Sequence, residues 1–267
     1  MNKALERQIS YGSFLDRLRS ASARVLLLDY DGTLAPFSAD RNLAFPYPEV
    51  PDLLARIMAE GTRVVLISGR PARELLLLSG IHPHPEIWGS HGLERLKPDG
   101  SYELGVLPHD QQMGLLMAAT SLRTDGLERQ IELKPGGVAV HWRGLTAQEI
   151  EDIKSRVFQR WIPLRDEYSL SLLDFDGGLE LRVLGKNKGD AVNTVLNEIH
   201  PDSAVAYLGD DQTDEDAFLA LKGKGLTALV RSQSRPTAAD VWLQPPQELI
   251  QFFQEWLDAQ EKSYDAH

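Results

Sequence analysis

Three short runs of consecutive apolar residues punctuate an otherwise mixed chain: Val25-Leu26-Leu27-Leu28, Val64-Val65-Leu66-Ile67 and Val205-Ala206-Tyr207-Leu208. A strand with one face in water alternates apolar and polar positions. An unbroken run instead fits a strand covered on both faces, as in a parallel sheet between helices. Helical patterns follow the runs. Residues 51–60 stop at Gly61, and residues 71–78 open on a proline and are followed by Gly80, the placement these residues favour at helix ends. Residues 188–199 and 213–221 read as two further helices. Strand and helix in alternation predict a doubly wound, Rossmann-like α/β core.

The middle of the chain breaks this rhythm. Residues 131–134 and 138–142 flank Pro135-Gly136-Gly137 and read as a hairpin, as do residues 169–173 and 179–183 around Asp174-Phe175-Asp176-Gly177-Gly178. Helical stretches near 109–123 and 147–161 separate these elements. We therefore expect a parallel-sheet core from residues 1–103 and 183–267, with residues 104–182 inserted as a smaller α/β domain. The polar tail after Glu261 is expected to fray.

Composition narrows the function classes. No apolar run approaches the ~20 residues that span a bilayer, and the first twenty residues carry no apolar signal segment. Cysteine is absent, which excludes disulfides, thiolate metal sites and cysteine nucleophiles. A cytoplasmic location is the expectation. The net charge of −11, without any Lys/Arg run, argues against nucleic-acid or membrane partners. A phosphorylated small molecule would need a bound cation and a few placed basic groups.

Each apolar run ends in a chemical group: Asp29, Ser68, and Gly209-Asp210-Asp211. In open parallel sheets the ligand crevice lies beyond the carboxyl ends of the strands, so these groups should meet. In Asp29-Tyr30-Asp31-Gly32-Thr33 the two carboxylates sit two residues apart and face the same way. Their repulsion favours a cation or a retained proton. Asp29 is expected as nucleophile and Asp31 as acid to the leaving alcohol, then base to water. The similar Asp174–Gly178 segment lies between two strands, where Asp-Gly-Gly is turn chemistry. Ser68-Gly69-Arg70 offers a hydroxyl and backbone N–H groups for phosphoryl oxygens. Lys188 opens a helix, against the macrodipole, so it is expected to serve an anion or pair with Asp29. Asp210, Asp211 and Asp214 offer the hard oxygens that Mg²⁺ prefers, whereas Glu215 and Asp216 read as ordinary first-turn acids.

The segments DYDGTL, Ser68, Lys188 and GDDQTDED, in that order, resemble the four signatures of the haloacid dehalogenase (HAD) superfamily of phosphatases. The resemblance implies Mg²⁺ held by Asp29, the Asp31 carbonyl and Asp210, with Asp214 supporting. It also implies an inserted cap closing over substrate through linkers near residues 96–103 and 183–186. Three further stretches resemble trehalose-6-phosphate phosphatases: Gly89 to Glu94, Glu132-Leu133-Lys134 with His141-Trp142-Arg143, and Glu180-Leu181-Arg182 with Gly185 to Gly189. Val183 stands where that family usually has proline. Trehalose 6-phosphate is thus the implied substrate and a trehalose-phosphate synthase the implied functional partner. Thr33, Gly69 and Arg70 are expected on the phosphate side, and Glu132, Lys134, Arg143 and Glu180 on the sugar side. His91 and His141 are expected to be structural or near substrate, and Trp88, Trp142 and Trp161 to pack. The alternatives are a capped phosphatase for another sugar phosphate (sucrose phosphate or a glycosyl-phosphoglycerate), a phosphotransferase or mutase, or a catalytically silent sugar-phosphate-binding module.

Overall fold

The computed structural model describes residues 3–38, 40–175, 177–184 and 187–264; Asp176, Gly185 and Lys186, which the sequence reading touches, lie outside the described residues. The chain divides into two compact units, residues 1–103 with 187–267, and residues 104–186.

The first unit comprises α1 (Lys3–Ser20), β1 (Arg24–Leu28), α2 (Val50–Ala59), β2 (Arg63–Ile67), α3 (Ala72–Leu78), β3 (Glu86–Gly89), β4 (Glu94–Leu96) and β5 (Tyr102–Leu104). The second holds α4 (His109–Thr124), β6 (Ile131–Lys134), β7 (Gly137–His141), α5 (Ala147–Glu167), β8 (Leu170–Phe175) and β9 (Gly178–Val183). The chain then returns to the first unit with α6 (Lys188–Glu198), β10 (Ala204–Gly209), α7 (Glu215–Leu221), β11 (Leu226–Val230), β12 (Val241–Leu243) and α8 (Gln247–Tyr264).

The large sheet has the order β12-β11-β10-β1-β2-β3-β4-β5. The pairs from β12 to β3 are parallel, and β4 returns antiparallel to β3. Register sets the site: Leu28 of β1 lies opposite Leu208 of β10 and Leu66 of β2, so their chains leave the sheet at one edge. The unbroken apolar runs follow from burial on both faces. Leu26, Leu28, Leu66 and Leu208 pack with residues of α1, α2 and α8, such as Leu18, Leu54 and Trp256. Val25, Leu27, Ile67 and Tyr207 pack against Val192 and Val195 of α6 and Phe218 of α7.

The second unit is an antiparallel sheet, β6-β7-β9-β8, with α4 and α5 packed on it. Val138, Val140, Leu179 and Leu181 join Val157 and Trp161 in its core. Strand alternation turns Glu180 to the opposite face, together with cross-strand neighbours such as Ala139. Two boundaries differ from expectation. Asp174 and Phe175 belong to β8, because pairing continues to Phe175 opposite Gly178 and leaves a tighter turn. Val183 completes β9 opposite Leu170, so the core resumes at Asn187 rather than 183. The 96–103 stretch, expected as a linker, is built as a hairpin: Lys97 N donates to Ser101 O at 2.9 Å, and Lys97 pairs with Glu103. Among the described residues, no helix is long and apolar enough to cross a membrane.

A buried polar contact docks α8. Thr62 Oγ1, just before β2, accepts from Trp256 Nε1 at 3.0 Å and Gln260 Nε2 at 2.7 Å. Thr62→Val keeps the shape and strands the Trp256 donor, while Gln260 Nε2 retains its bond to Glu60 O at 3.0 Å; a stranded buried donor costs about 1–3 kcal/mol. The expected readout is a lower urea midpoint with an unchanged m-value; an unmoved midpoint would show that these bonds do not contribute to docking.

Candidate active site

Asp29 follows β1, its amide tied to Leu208 O at 2.9 Å. Its side chain is buried. Oδ1 accepts from Lys188 Nζ at 2.6 Å and Oδ2 from Thr33 Oγ1 at 3.0 Å. Thr33 is itself fully buried, so its hydroxyl orients the nucleophile candidate instead of reaching a ligand. Tyr30 points the other way, into the core, with its hydroxyl donating to Ala44 O at 2.8 Å. Gly32 sits at φ 85°, where a Cβ would strike the Asp210 carboxylate and come within 2.8 Å of Phe37.

Lys188 is the first residue of α6. Asn187 caps the helix reciprocally with Asp190, each amide donating to the other's side chain at 2.9–3.0 Å. Side chains in a first turn lean toward the N-terminus, which drops the ammonium into the site. It bridges Asp29 and Asp214, the latter at 2.7 Å. Asp214 Oδ1 also accepts from Tyr207 Oη at 2.5 Å, and its Oδ2 from the amides of Asp210 and Asp211 at 3.1 and 3.0 Å.

Oxygens of Asp29, Asp210 and Asp214 lie within 4.8 Å of one another. Asp210 Oδ2 is buried and accepts no hydrogen bond. Asp211 is outside this cluster, and so is the Asp31 carboxylate; Asp211 contributes its amide to Asp214 and its carbonyl to Arg235 Nη2 at 2.7 Å. Burial, opposed by Lys188 and reinforced by Asp214, pushes the Asp29 carboxyl up to about 7. Burial and then the Asp29 and Asp214 charges push Asp210 to about 10. Burial would lower Lys188, but Asp214 and Asp29 hold it well above the ordinary lysine value. Burial and the same acids keep the Tyr207 phenol a proton donor. Three buried carboxylates face one ammonium, and one oxygen lacks a donor. That hard-oxygen set fits a divalent cation of the magnesium type.

Ser68 follows β2, is buried, and its Oγ accepts from Arg70 N at 3.1 Å, which leaves the hydroxyl proton available for donation. Gly69 lies under the His91 ring, where a Cβ would come within 2.7 Å. His91 N donates to Ser68 O and Ser90 N to Arg70 O, both at 2.9 Å. Ser90 and His91 adopt left-handed backbone, φ 48° and 57°. Glu94 holds this turn by accepting from Ser90 Oγ at 2.6 Å and Tyr102 Oη at 2.9 Å. The Arg70 side chain is directed to Asp31, with Nε donating to Oδ2 at 2.6 Å and Nη2 to Oδ1 at 2.7 Å.

In the second unit, Lys134 Nζ lies 3.1 Å from Glu180 Oε2 and 3.7 Å from Glu132 Oε2. His141 Nε2 lies 2.8 Å from the same Glu132 oxygen, and Arg143 follows β7, half-buried. Trp142 and Trp161 pack in that unit's core, and Trp88 lies under the Arg95 guanidinium at 4.9 Å. Sequence reasoning missed Tyr207 and the pairing of Glu74 with Arg70, and had Glu94 only as part of the family-like stretch Gly89 to Glu94. A phenol within an otherwise aliphatic buried strand needs a hydroxyl partner, and Glu74 lies one helical turn past Arg70; both signals were present.

A family model described as trehalose-phosphatase matches residues 27–247. The trehalose-phosphate phosphatase of Mycobacterium marinum is 32% identical over 242 residues, which cover 85% of this chain and 60% of that protein. The chain spans roughly 60% of the length of the first curated relatives it matches. A solved trehalose-6-phosphate phosphatase from Aspergillus fumigatus superposes with a TM-score of 0.63 at 25% identity, over 92% of this chain and 97% of that one. A phosphatase of the haloalkanoate (HAD) superfamily from Bacteroides thetaiotaomicron shares the fold, with a TM-score of 0.61 at 17% identity over 89% and 96% of the two chains.

The raised carboxyls have a thermodynamic consequence. The unfolded chain ionises them near 3.8, whereas burial in the fold, with no cation to offset it, raises them to about 7 and about 10. Their contribution to stability is therefore present in acid and lost as pH rises through those values. In chelator, the melting temperature should fall from pH 5 to 9; adding Mg²⁺ should raise it again, most at high pH, with a stabilisation of about 2.7 kcal/mol at a hundredfold excess over Kd. Asp210→Asn should flatten the pH slope and remove the cation response. A cation response retained in that variant would place the cation elsewhere.

Proposed function

Because the chain belongs to the trehalose-phosphatase family, we propose that it hydrolyses trehalose 6-phosphate to trehalose and phosphate through an aspartyl-phosphate on Asp29, with Mg²⁺ as cofactor. The observation that carries this reading is the buried Asp29 carboxylate, fixed at both oxygens beside an acceptor on Asp210 that has no donor.

Asp29 attacks phosphorus while the ester P–O bond breaks, and Asp31 gives its proton to the departing sugar oxygen. In the second half Asp31 takes a proton from water as that water attacks phosphorus. The P–O bond to Asp29 breaks and phosphate leaves. Lys188 balances the Asp29 charge, and the Ser68 hydroxyl with the Gly69 amide receives phosphoryl oxygens, while the Arg70 amide holds Ser68 Oγ. Asp29, Asp210 and the Asp31 carbonyl would hold Mg²⁺, with Asp214 supporting and Asp211 acting only through its amide bond to Asp214. Bound there, the cation supplies positive charge that offsets repulsion between Asp29 and the phosphoryl oxygens.

Sugar recognition is assigned to the second unit as a cap, residues 104–186. Its Glu132, Lys134 and Glu180 form a charged cluster on one sheet face, with Arg143 nearby in sequence, and charged groups make the stronger hydrogen bonds to hydroxyls. The reading carries with it a cytoplasmic site of action and functional pairing with a trehalose-phosphate synthase, which would supply the substrate.

The test is phosphate release with Mg²⁺ from trehalose 6-phosphate, glucose 6-phosphate and sucrose 6-phosphate. Preference for the first, abolished by Asp29→Asn and by chelator, is the expected result. Equal rates on all three would reject the sugar, and no release from any would reject the phosphatase. Lys134→Ala should raise KM for trehalose 6-phosphate roughly tenfold, equivalent to about 1.4 kcal/mol. It should leave kcat/KM for p-nitrophenyl phosphate unchanged; equal losses on both substrates would remove Lys134 from sugar binding.

A further inference from the structure

We propose that Arg70 is a positioning residue that fixes the carboxylate plane of Asp31, rather than a ligand of the substrate phosphate; the proposal rests on the phosphatase reading above. Arg70 is only 5% exposed, and each of its guanidinium nitrogens already donates to a carboxylate. Nε and Nη2 fork onto the two oxygens of Asp31 at 2.6 and 2.7 Å. Nη1 donates to Glu74 Oε1 at 3.0 Å, and Glu74 Oε2 accepts from Arg41 Nη2 at 2.8 Å. The result is a ladder of alternating charge, Asp31–Arg70–Glu74–Arg41, with the guanidinium 5.9 Å from the Tyr30 ring centroid.

The Arg70 backbone has a separate task. Its amide donates to Ser68 Oγ and its carbonyl accepts from Ser90 N, so the main chain shapes the phosphate-side loop while the side chain leaves it. Redirecting the guanidinium to a phosphate would break two charge-assisted bonds and leave Asp31 without its partner. Lys188, the Ser68 hydroxyl and the Gly69 amide remain for the phosphoryl oxygens.

Positioning is what the acid–base step needs. Asp31 lies in the turn after β1, with its side chain 30% exposed, and a single contact would let its carboxylate rotate. A planar fork fixes the plane and leaves the outward lone pairs to hold or accept the proton at the leaving oxygen. An ammonium at this position would keep the charge and lose that constraint.

The test compares kcat/KM, which reports transfer to Asp29, for trehalose 6-phosphate and for p-nitrophenyl phosphate. An alkoxide leaving group needs the proton and an activated phenolate does not. Arg70→Lys and Arg70→Gln should lower kcat/KM for the sugar phosphate by about 10²-fold, within the range of general acid catalysis, and for the aryl phosphate by less than about threefold. The inhibition constant of inorganic phosphate should stay within about twofold, since no phosphate contact is removed. Adding Arg70→Lys to Asp31→Asn should cost nothing beyond Asp31→Asn alone, because both act through one group. Equal losses on the two substrates, with weaker phosphate inhibition, would overturn the proposal and make Arg70 a phosphate ligand. If Arg70→Gln fails to fold, Arg70→Lys keeps the buried charge paired and decides the matter alone. Wild-type protein that releases phosphate from neither substrate would overturn the phosphatase reading itself, and would do so before any variant is made.

Discussion

One ammonium buried between two carboxylates organises the catalytic edge. Lys188 reaches Asp29, 159 residues earlier in the chain, and Asp214, 26 residues later. Burying these charges is expensive, so they persist only with excellent geometry and further hydrogen bonds. Both conditions are met: Thr33 completes Asp29, while Tyr207 and two amides complete Asp214. The helix cap at Asn187 holds the lysine where its backbone position alone would be electrostatically poor. The site is thus tied into β1, β10 and α6 at once, and a shift of any of the three would leave a buried charge unpaired.

The legible part of the fold was what local pattern encodes. Burial of β1, β2 and β10 on both faces left unbroken apolar runs, and each run ended at its reactive residue. Asp29, Ser68 and Asp210 could be named because strand ends converge by topology, whatever the sequence between them, and Lys188 because a cation at a helix start opposes the macrodipole. The rest depends on partners distant in sequence. Asp210, Asp211 and Asp214 look alike on paper. Only the short helical turn over Gln212–Asp214 folds Asp214 back beneath the amides and leaves Asp211 outside the carboxylate cluster. Arg70 read as a phosphate contact because it follows Ser68, and nothing local revealed that its side chain turns to Asp31. The hairpin at Asp174–Gly178 was read correctly as a turn but set too wide, since strand pairing, not the Asp-Gly pattern, decides where a hairpin closes.

The two sheets show how different burial writes different sequence. The parallel sheet presents apolar side chains to both faces. The antiparallel sheet presents Leu179 and Leu181 to its helices and Glu180 to the other side. On that other side Lys134 is held between two glutamates, so the cluster is polar but locally compensated. Compensation of this kind lets charged groups stay buried or half-buried while remaining able to exchange hydrogen bonds with a polyhydroxyl ligand.

The catalytic edge is not compensated, and that difference bears on how an acidic protein can handle phosphate. Asp29, Asp210 and Asp214 face one ammonium, Lys188, an excess of two negative charges, while Asp31 is paired separately with Arg70. Two protons or one divalent cation can make up that excess, and burial together with the neighbouring acids raises Asp29 and Asp210 in the direction the proton solution takes. A proton on Asp29 removes the nucleophile, so only the cation solution is compatible with catalysis. A phosphate dianion arriving without the cation would meet a negative or protonated site; arriving with it, the dianion meets a neutral one carrying an ionised Asp29. Cation and substrate must then favour each other's binding by the same factor, whichever binds first. Lys188 and Arg70 already pair with internal carboxylates, so under the proposed function attraction for the phosphate would come chiefly from the cation that the excess carboxylates would recruit, despite the overall charge of −11.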